Sequence, residues 1–306
     1  MKKLAIIGFG GHVTKNILPA LKKIDGIGIE AIYVRNVEKY VHLIDEHDIE
    51  LRSLSEFPDS VAEWCYIATP ISTHYELTKR ALLLNKNVIC EKPLTDSSQY
   101  SQELVELAQS RGLVLHEVCV YKFHSQYQYL VQLVEENKQN IKSISAKFTI
   151  PHLPKDDIRY KREMSGGALL DVGYYPLSIM VNLLGNPEKV QATKKSEVGY
   201  DVDLSGVAIL DYKNFYAVAE WGIGLPYSNE LVLVTNDKKY FFNRVFSKPA
   251  TLNTTVDIFE GFSHTVYETG RDDQFVNMFK SFIFKGLDSR DARAVCSWVG
   301  QILESV

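Results

Sequence analysis

Cysteine is scarce in this 306-residue chain. Only Cys65, Cys90, Cys119 and Cys296 occur, and their spacings of 25, 29 and 177 residues form neither a C-x-x-C pair nor a zinc pattern. A disulfide framework is excluded, no metal site is expected, and the thiols read as reduced and mostly buried, as in a cytoplasmic protein. An excess of positive charge is also missing. Lys and Arg number 34 against 38 Asp and Glu, a net charge of −4, which gives no field for nucleic acid or an anionic membrane. No apolar run approaches the ~18 residues of a membrane-spanning helix. The opening Met1-Lys2-Lys3 and its four apolar followers are too short for a signal peptide and run into glycines without a cleavage site. Repeats, low-complexity tracts and long flexible linkers are absent too.

What remains is an ordinary globular composition, 45% hydrophobic and 24% charged, with a length that predicts about two domains. In the first third, short apolar runs alternate with helical patterns. Strands are expected at Leu4–Ile7, Gly28–Val34, Trp64–Ala68, Asn87–Cys90 and Val114–Val118. Helices are expected at Val13–Leu21, Val37–His47, Tyr75–Leu84 and Ser97–Ser110, the last behind a Thr95-Asp96 cap. This alternation predicts an α/β, doubly wound parallel sheet over residues 1–118. After one more helix, Gln128–Glu136, strands follow each other directly: Ile144–Ile150, Val190–Lys194, Gly206–Leu210, Tyr216–Trp221, Glu230–Thr235 and Lys239–Phe242. One helix, Leu169–Leu184, interrupts them, and the tail reads as helical at Asp273–Phe284 and Arg290–Glu304. Residues 119–306 are therefore expected to form an α+β domain with a large, mostly antiparallel open sheet, and a cleft between two domains is a natural ligand site.

Gly8-Phe9-Gly10-Gly11-His12-Val13 follows the first strand and opens the first helix, the context of a dinucleotide fingerprint. Gly8 permits the tight turn, and Gly10 with Gly11 lets the backbone approach a pyrophosphate at the helix N-terminus. Val13 stands where a third glycine is usual. The second strand ends in Tyr33-Val34-Arg35-Asn36, with no carboxylate before Glu38. Arg35 in place of an acid favours NADP(H) through a 2′-phosphate; Glu38 keeps NAD(H) open. Thr69, Pro70 and His74 follow the fourth strand, where nicotinamide ribose or pyrophosphate would lie. Glu91-Lys92-Pro93 follows the fifth, where a catalytic group would be placed. Farther on, Ser165-Gly166-Gly167-Ala168-Leu169-Leu170-Asp171-Val172-Gly173-Tyr174-Tyr175 sets Asp171 and Tyr175 four apart, on one face of a helix.

Gly8-x-Gly10, Thr69-Pro70, Glu91-Lys92-Pro93 and the Gly-Gly-Ala-Leu-x-Asp-x-Gly-x-Tyr run together resemble the glucose–fructose oxidoreductase / inositol dehydrogenase (Gfo/Idh/MocA) family over essentially the whole chain. The resemblance implies a catalytic role for Lys92. Many members have histidine where Tyr175 stands, so the match is to the tyrosine-bearing branch. Phe123–Tyr127, Leu153–Tyr160, Asn243–Ser247 and Asp272–Phe275 look like segments of sugar-nucleotide C-3 ketoreductases.

The implied activity is NADP(H)-dependent reduction of a ketone on a nucleotide-linked (deoxy)sugar. Lys92 would stabilise the oxyanion, and either Tyr175 or Lys92 would deliver the proton. Asp171 would hold a sugar hydroxyl or orient Lys92. His124, Gln126, Arg159 and Tyr160 are candidate substrate contacts. The cations Lys155, Arg159, Lys161 and Arg162 would hold a diphosphate or simply form a solvated loop. The other activity open to such a chain is an NAD(P)-dependent dehydrogenase of a free sugar, polyol or dihydrodiol. The resemblance also implies a homodimer or homotetramer through the second domain's sheet, with Ala217–Trp221 and Leu231–Thr235 as compatible strands.

Overall fold

The computed structural model describes residues 1–43 and 49–285, which fall into two compact units. The first unit contains Met1–Val118. Its strands are β1 (Lys2–Ile7), β2 (Ile27–Val34), β3 (Leu51–Ser53), β4 (Trp64–Ile67), β5 (Asn87–Cys90) and β6 (Leu115–Glu117). They pair in parallel in the order β3-β2-β1-β4-β5-β6. Leu4, Ile6, Tyr66, Ile67, Val88 and Ile89 are fully buried, as expected where both faces of a parallel sheet are covered. The order reverses between β1 and β4, and in such sheets ligands bind beyond the strand carboxyl ends at that point.

A wide turn at Val13–Ile17 runs into α1 (Leu18–Leu21); α2 spans His74–Leu83 and α3 Ser98–Ser110. α3 buries Ser101, Leu104, Val105 and Ala108, three and four apart, against the core. Its cap is Ser97, whose hydroxyl accepts from the Tyr100 amide, and not the expected Thr95-Asp96. The Thr95 hydroxyl turns inward to the Ser97 carbonyl and to Ser101. In place of the expected helix Val37–His47 there is a 3₁₀ segment at Glu38–Leu43, the rest of that prediction lying partly outside the described residues. The three-residue β3 was not expected, being too short to show a period.

The second unit begins at Cys119. It holds α4 (Ser125–Glu136), a wide turn at Leu169–Gly173 leading into α5 (Tyr174–Leu184), and eight strands. These are β7 (Ile141–Ile150), β8 (Lys189–Lys195), β9 (Ser205–Tyr212), β10 (Phe215–Ile223), β11 (Ser228–Thr235), β12 (Lys238–Asn243), β13 (Thr254–Glu260) and β14 (Ser263–Gly270), in the order β14-β13-β12-β11-β7-β10-β9-β8. Every pairing is antiparallel except β7 with β10, which run parallel and are joined through α5, β8 and β9. Burial alternates along β11, with Leu231 and Leu233 inside and Val232 and Val234 half-exposed, so one face is covered and the other open.

The helix α6 (Gln274–Lys285) follows the second unit's sheet in the chain. From Phe275 it packs with the first unit. Phe275 meets the His12 ring at 5.7 Å, Phe279 meets Tyr66 at 5.5 Å, and Phe282 stacks on His116 at 4.0 Å. Residues i, i+4 and i+7 of a helix share a face, and here that face is aromatic. The expected helix Arg290–Glu304 lies outside the described residues.

Candidate active site

In the first unit the predicted residues gather at the carboxyl ends of β1, β2, β4 and β5. The Gly8 amide donates to the Tyr33 carbonyl at 2.9 Å, tying the glycine turn to the end of β2. Gly8 has φ +99°, and a Cβ there would lie 2.5 Å from the Ala68 carbonyl oxygen, so only glycine fits. At Gly10 and Gly11 a Cβ would meet nothing within 4 Å; both are exposed, leaving room for a ligand against the backbone. Val13 is fully buried and opens the wide turn, which accommodates a side chain where a third glycine would allow a tighter approach. Arg35 follows β2, is exposed, and has no protein partner among the described residues. The turn therefore fits a dinucleotide, and the β2 end offers a cation and no acid to its adenosine ribose.

The loop after β5 is anchored on both sides of Lys92. The Glu91 carboxylate accepts from the Tyr66 hydroxyl and pairs with His12 Nε2 at 2.9 Å. Burial opposes ionisation of Glu91, but His12, Tyr66 and Lys92 outweigh it and hold the carboxyl down at about 2. Lys92 itself is half-buried, and the Lys92–Pro93 bond is cis. Beyond it the Leu94 amide donates to Glu117 Oε1 at 2.6 Å.

His74 was expected to touch cofactor, and the structure gives it another task. It is 1% exposed, with Nδ1 2.9 Å from the Pro93 carbonyl oxygen and Nε2 2.9 Å from that of Thr69. Burial lowers its pKa against the pull of the two carbonyls. It joins the Thr69-Pro70 turn to the Lys92 loop and presents no ring atom to a ligand. Thr69 and Pro70 are half-buried, and the Thr73 hydroxyl lies 2.8 Å from the Pro70 carbonyl oxygen and 2.7 Å from the Thr69 hydroxyl.

In the second unit the glycine run makes a close approach. A Cβ on Gly166 would lie 2.6 Å from the Arg159 carbonyl oxygen, and one on Gly167 would lie 2.5 Å from Asp203 Oδ1. Asp203, absent from the sequence expectations, accepts from the Leu169 amide at 2.8 Å and from Trp221 Nε1 at 3.3 Å, and so secures the start of the helix that carries Asp171 and Tyr175. Its burial raises its pKa against these donors. No local signal marks it, since it lies more than thirty residues from the amide it caps.

Asp171 Oδ2 takes Arg159 Nε at 2.5 Å, and Arg159 also reaches Asp157 at 3.2 Å. Arg159 is thus first of all the partner of Asp171, which raises the guanidinium's pKa further. The half-buried Tyr175 ring is boxed by Phe148 at 5.1 Å, Phe246 at 5.7 Å and Tyr121 at 6.4 Å.

Three expected substrate contacts are buried and structural. Tyr160 is 8% exposed, and its hydroxyl accepts from the Leu153 amide at 2.9 Å. His124 is fully buried and caps α4, Nδ1 accepting from the Gln126 amide at 3.0 Å; burial pulls it down to about 4, aided by Lys248. Gln126, also fully buried, donates Nε2 to the Asn243 and Thr255 carbonyls at 3.0 and 3.3 Å. Their polarity in sequence pointed to a ligand, whereas their actual partners are backbone groups.

Residues 2–119 match the model of an oxidoreductase family with an NAD-binding Rossmann fold, and residues 127–238 match the GFO/IDH/MocA C-terminal domain. The chain belongs to the Gfo/Idh/MocA oxidoreductase family. Among relatives of this oxidoreductase is the dTDP-3,4-didehydro-2,6-dideoxy-alpha-D-glucose 3-reductase of Actinomadura kijaniata, 30% identical over 92% of this chain and 86% of its own. The enzyme of the same name from Streptomyces antibioticus is 33% identical over 71% of this chain and 67% of its own. Among solved structures, KijD10, a 3-ketoreductase from Actinomadura kijaniata in complex with NADP and TDP-benzene, superposes with a TM-score of 0.93 at 27% identity, covering 99% of this chain and 97% of the other. That protein has also been solved as variants with a lysine or a tyrosine replaced.

Proposed function

We propose that this oxidoreductase uses NADPH to reduce a ketone on a nucleotide-linked deoxysugar. The observation that carries the reading is likeness along nearly the full chain to a 3-ketoreductase solved with NADP and TDP-benzene. Gly8, Gly10, Gly11 and His12 would hold the pyrophosphate, with Thr69, Pro70 and the Glu91 anchor around it. Arg35 would take a 2′-phosphate through its planar fork.

Reduced nicotinamide, when bound, supplies the hydride for the ketone carbon. Lys92 places a cation where negative charge develops on the ketone oxygen. Tyr175 gives that oxygen a proton from its hydroxyl, and a neighbouring ammonium would favour the phenolate left behind. Asp171, its charge matched by Arg159, orients the sugar or Lys92. The net change is hydride plus proton added across C=O, giving an alcohol.

The oxidoreductase would act in the cytoplasm, where the buried cysteines Cys65, Cys90 and Cys119 stay reduced. It would pair with a second copy across the open sheet face, without nucleic acid or membrane as partner. Calorimetric titration of dTDP and UDP into the NADPH-loaded protein tests the substrate class. Saturable binding of one nucleotide is expected. No binding of either, with NADPH still bound, moves the assignment to free sugars, polyols or dihydrodiols.

A further inference from the structure

The loop between β12 and β13 carries polar anchoring out of proportion to its length. Gln126 donates to the Asn243 carbonyl at 3.0 Å, and Lys248 Nζ donates to that of Val245 at 3.0 Å. Asn229 holds the loop twice more, its Oδ1 accepting from the Phe246 amide at 2.8 Å and its Nδ2 donating to the Ser247 carbonyl at 2.9 Å. These three side chains, Gln126, Lys248 and Asn229, are 0%, 6% and 2% exposed, so each is a buried polar group with at least one bond to this segment. Val245 and Phe246 are fully buried beneath it.

At the crest stands Arg244, exposed and at φ +56°, a backbone conformation that side chains with a Cβ seldom adopt. Strain of this kind is retained where surrounding structure imposes it, and it clusters at ligand sites. The guanidinium lies over the Tyr227 ring, 4.7 Å from its centroid, and Nη1 donates to the Tyr227 hydroxyl at 2.8 Å. Asn229 donates to the same hydroxyl at 3.1 Å, so one buried amide fixes both the loop and the platform. No carboxylate pairs with Arg244 among the described residues, whereas Arg159 is already matched by Asp171 and Asp157.

Two chains of contacts link Arg244 to Tyr175. Phe246, two residues on and so within about 7 Å along the chain, packs on Tyr175. Tyr227 meets Phe148 edge-on at 6.4 Å, and Phe148 meets Tyr175 at 5.1 Å. A planar cation, pre-oriented on an aromatic ring and uncompensated by acid, suits a phosphate.

We propose that Arg244 binds the diphosphate of the substrate and so sets the preference for nucleotide-linked over free sugars, with Asn229, Gln126 and Lys248 as its positioning residues. The inference rests on the ketoreductase reading and adds the residue that reads the nucleotide. Its test is dTDP titration into NADPH-loaded wild type, Arg244→Gln, Arg244→Gly and a Lys155→Gln/Lys161→Gln/Arg162→Gln triple variant. Glycine relieves the positive φ, so Arg244→Gly folds at least as well as wild type, and NADPH affinity serves as the check in every variant.

The expected result is dTDP binding about ten- to a hundredfold weaker in both Arg244 variants and within about twofold of wild type in the triple variant. Undiminished binding in Arg244→Gly, or a loss confined to the triple variant, overturns the inference and leaves the ketoreductase reading standing. Failure of wild type to bind dTDP overturns both.

Discussion

Lys92 and Tyr175 are fixed by different physics. Lys92 is placed by its chain neighbours, with Glu91 bonded to His12 and Tyr66 on one side and Leu94 to Glu117 on the other. Tyr175 is placed by ring packing against Phe148, Phe246 and Tyr121. Lys92→Ala and Tyr175→Phe are each expected to lower kcat about a hundredfold or more while leaving NADPH affinity unchanged. Near-normal turnover in either variant removes that residue from the chemistry.

At this scale legibility in sequence followed backbone demand. Gly8 was readable because a tight strand-to-helix turn leaves only glycine, and the structure puts a carbonyl where its Cβ would be. His74, His124 and Gln126 make no such demand, since polarity in sequence does not say whether the partner is a ligand or a buried backbone group. Asp203 was invisible because its cap acts across the fold.

At the scale of elements, the strands that declared themselves were those with a burial signature. β4 and β5 are continuous apolar runs covered on both faces, and β11 alternates. β14 gives no burial signature because six of its eight residues are exposed, and in β13 the alternation lasts only from Thr254 to Val256. The loop after β5 gives the pH prediction. Glu91 is held at about 2 in the folded chain, below the ordinary value of 4.5. A depressed carboxyl stabilises the fold above its unfolded pKa, and that stabilisation fades as pH falls from there through the folded pKa. Glu91→Gln should therefore cost about 2 kcal/mol near neutral pH, and the difference from wild type should shrink between roughly pH 4.5 and 2. Chemical denaturation across that range measures it; a pH-independent difference contradicts the ionic anchor.

At the scale of the whole molecule, the chain does not divide once. The first break, after Val118, coincides with the change from alternating helices and strands to consecutive strands. The return at Phe275 had no such sign, because an amphipathic helix reads alike whichever core it joins. The second unit's sheet keeps an open face on which Ile209, Tyr216 and Val266 are 46%, 55% and 54% exposed. Ala217, Ala219, Leu231 and Leu233, on the strands expected to be compatible with an interface, are fully buried, and the alternating Val218, Val232 and Val234 are half-exposed. An exposed apolar row of this kind is the mark of an association surface. Light scattering is expected to give a dimer or tetramer, and replacement of Ile209 by Asp to shift it toward monomer; a monomeric wild type contradicts the pairing.

This oxidoreductase is proposed to take its ketone on a nucleotide carrier. The most direct measurement is NADPH oxidation by the purified protein with a dTDP-linked 3-keto-deoxysugar generated in situ, set against free aldoses and polyols with NADP. Rapid NADPH consumption is expected with the dTDP-linked ketone, and negligible turnover of the free compounds. Turnover of a free sugar or polyol with none of the nucleotide-linked ketone contradicts it.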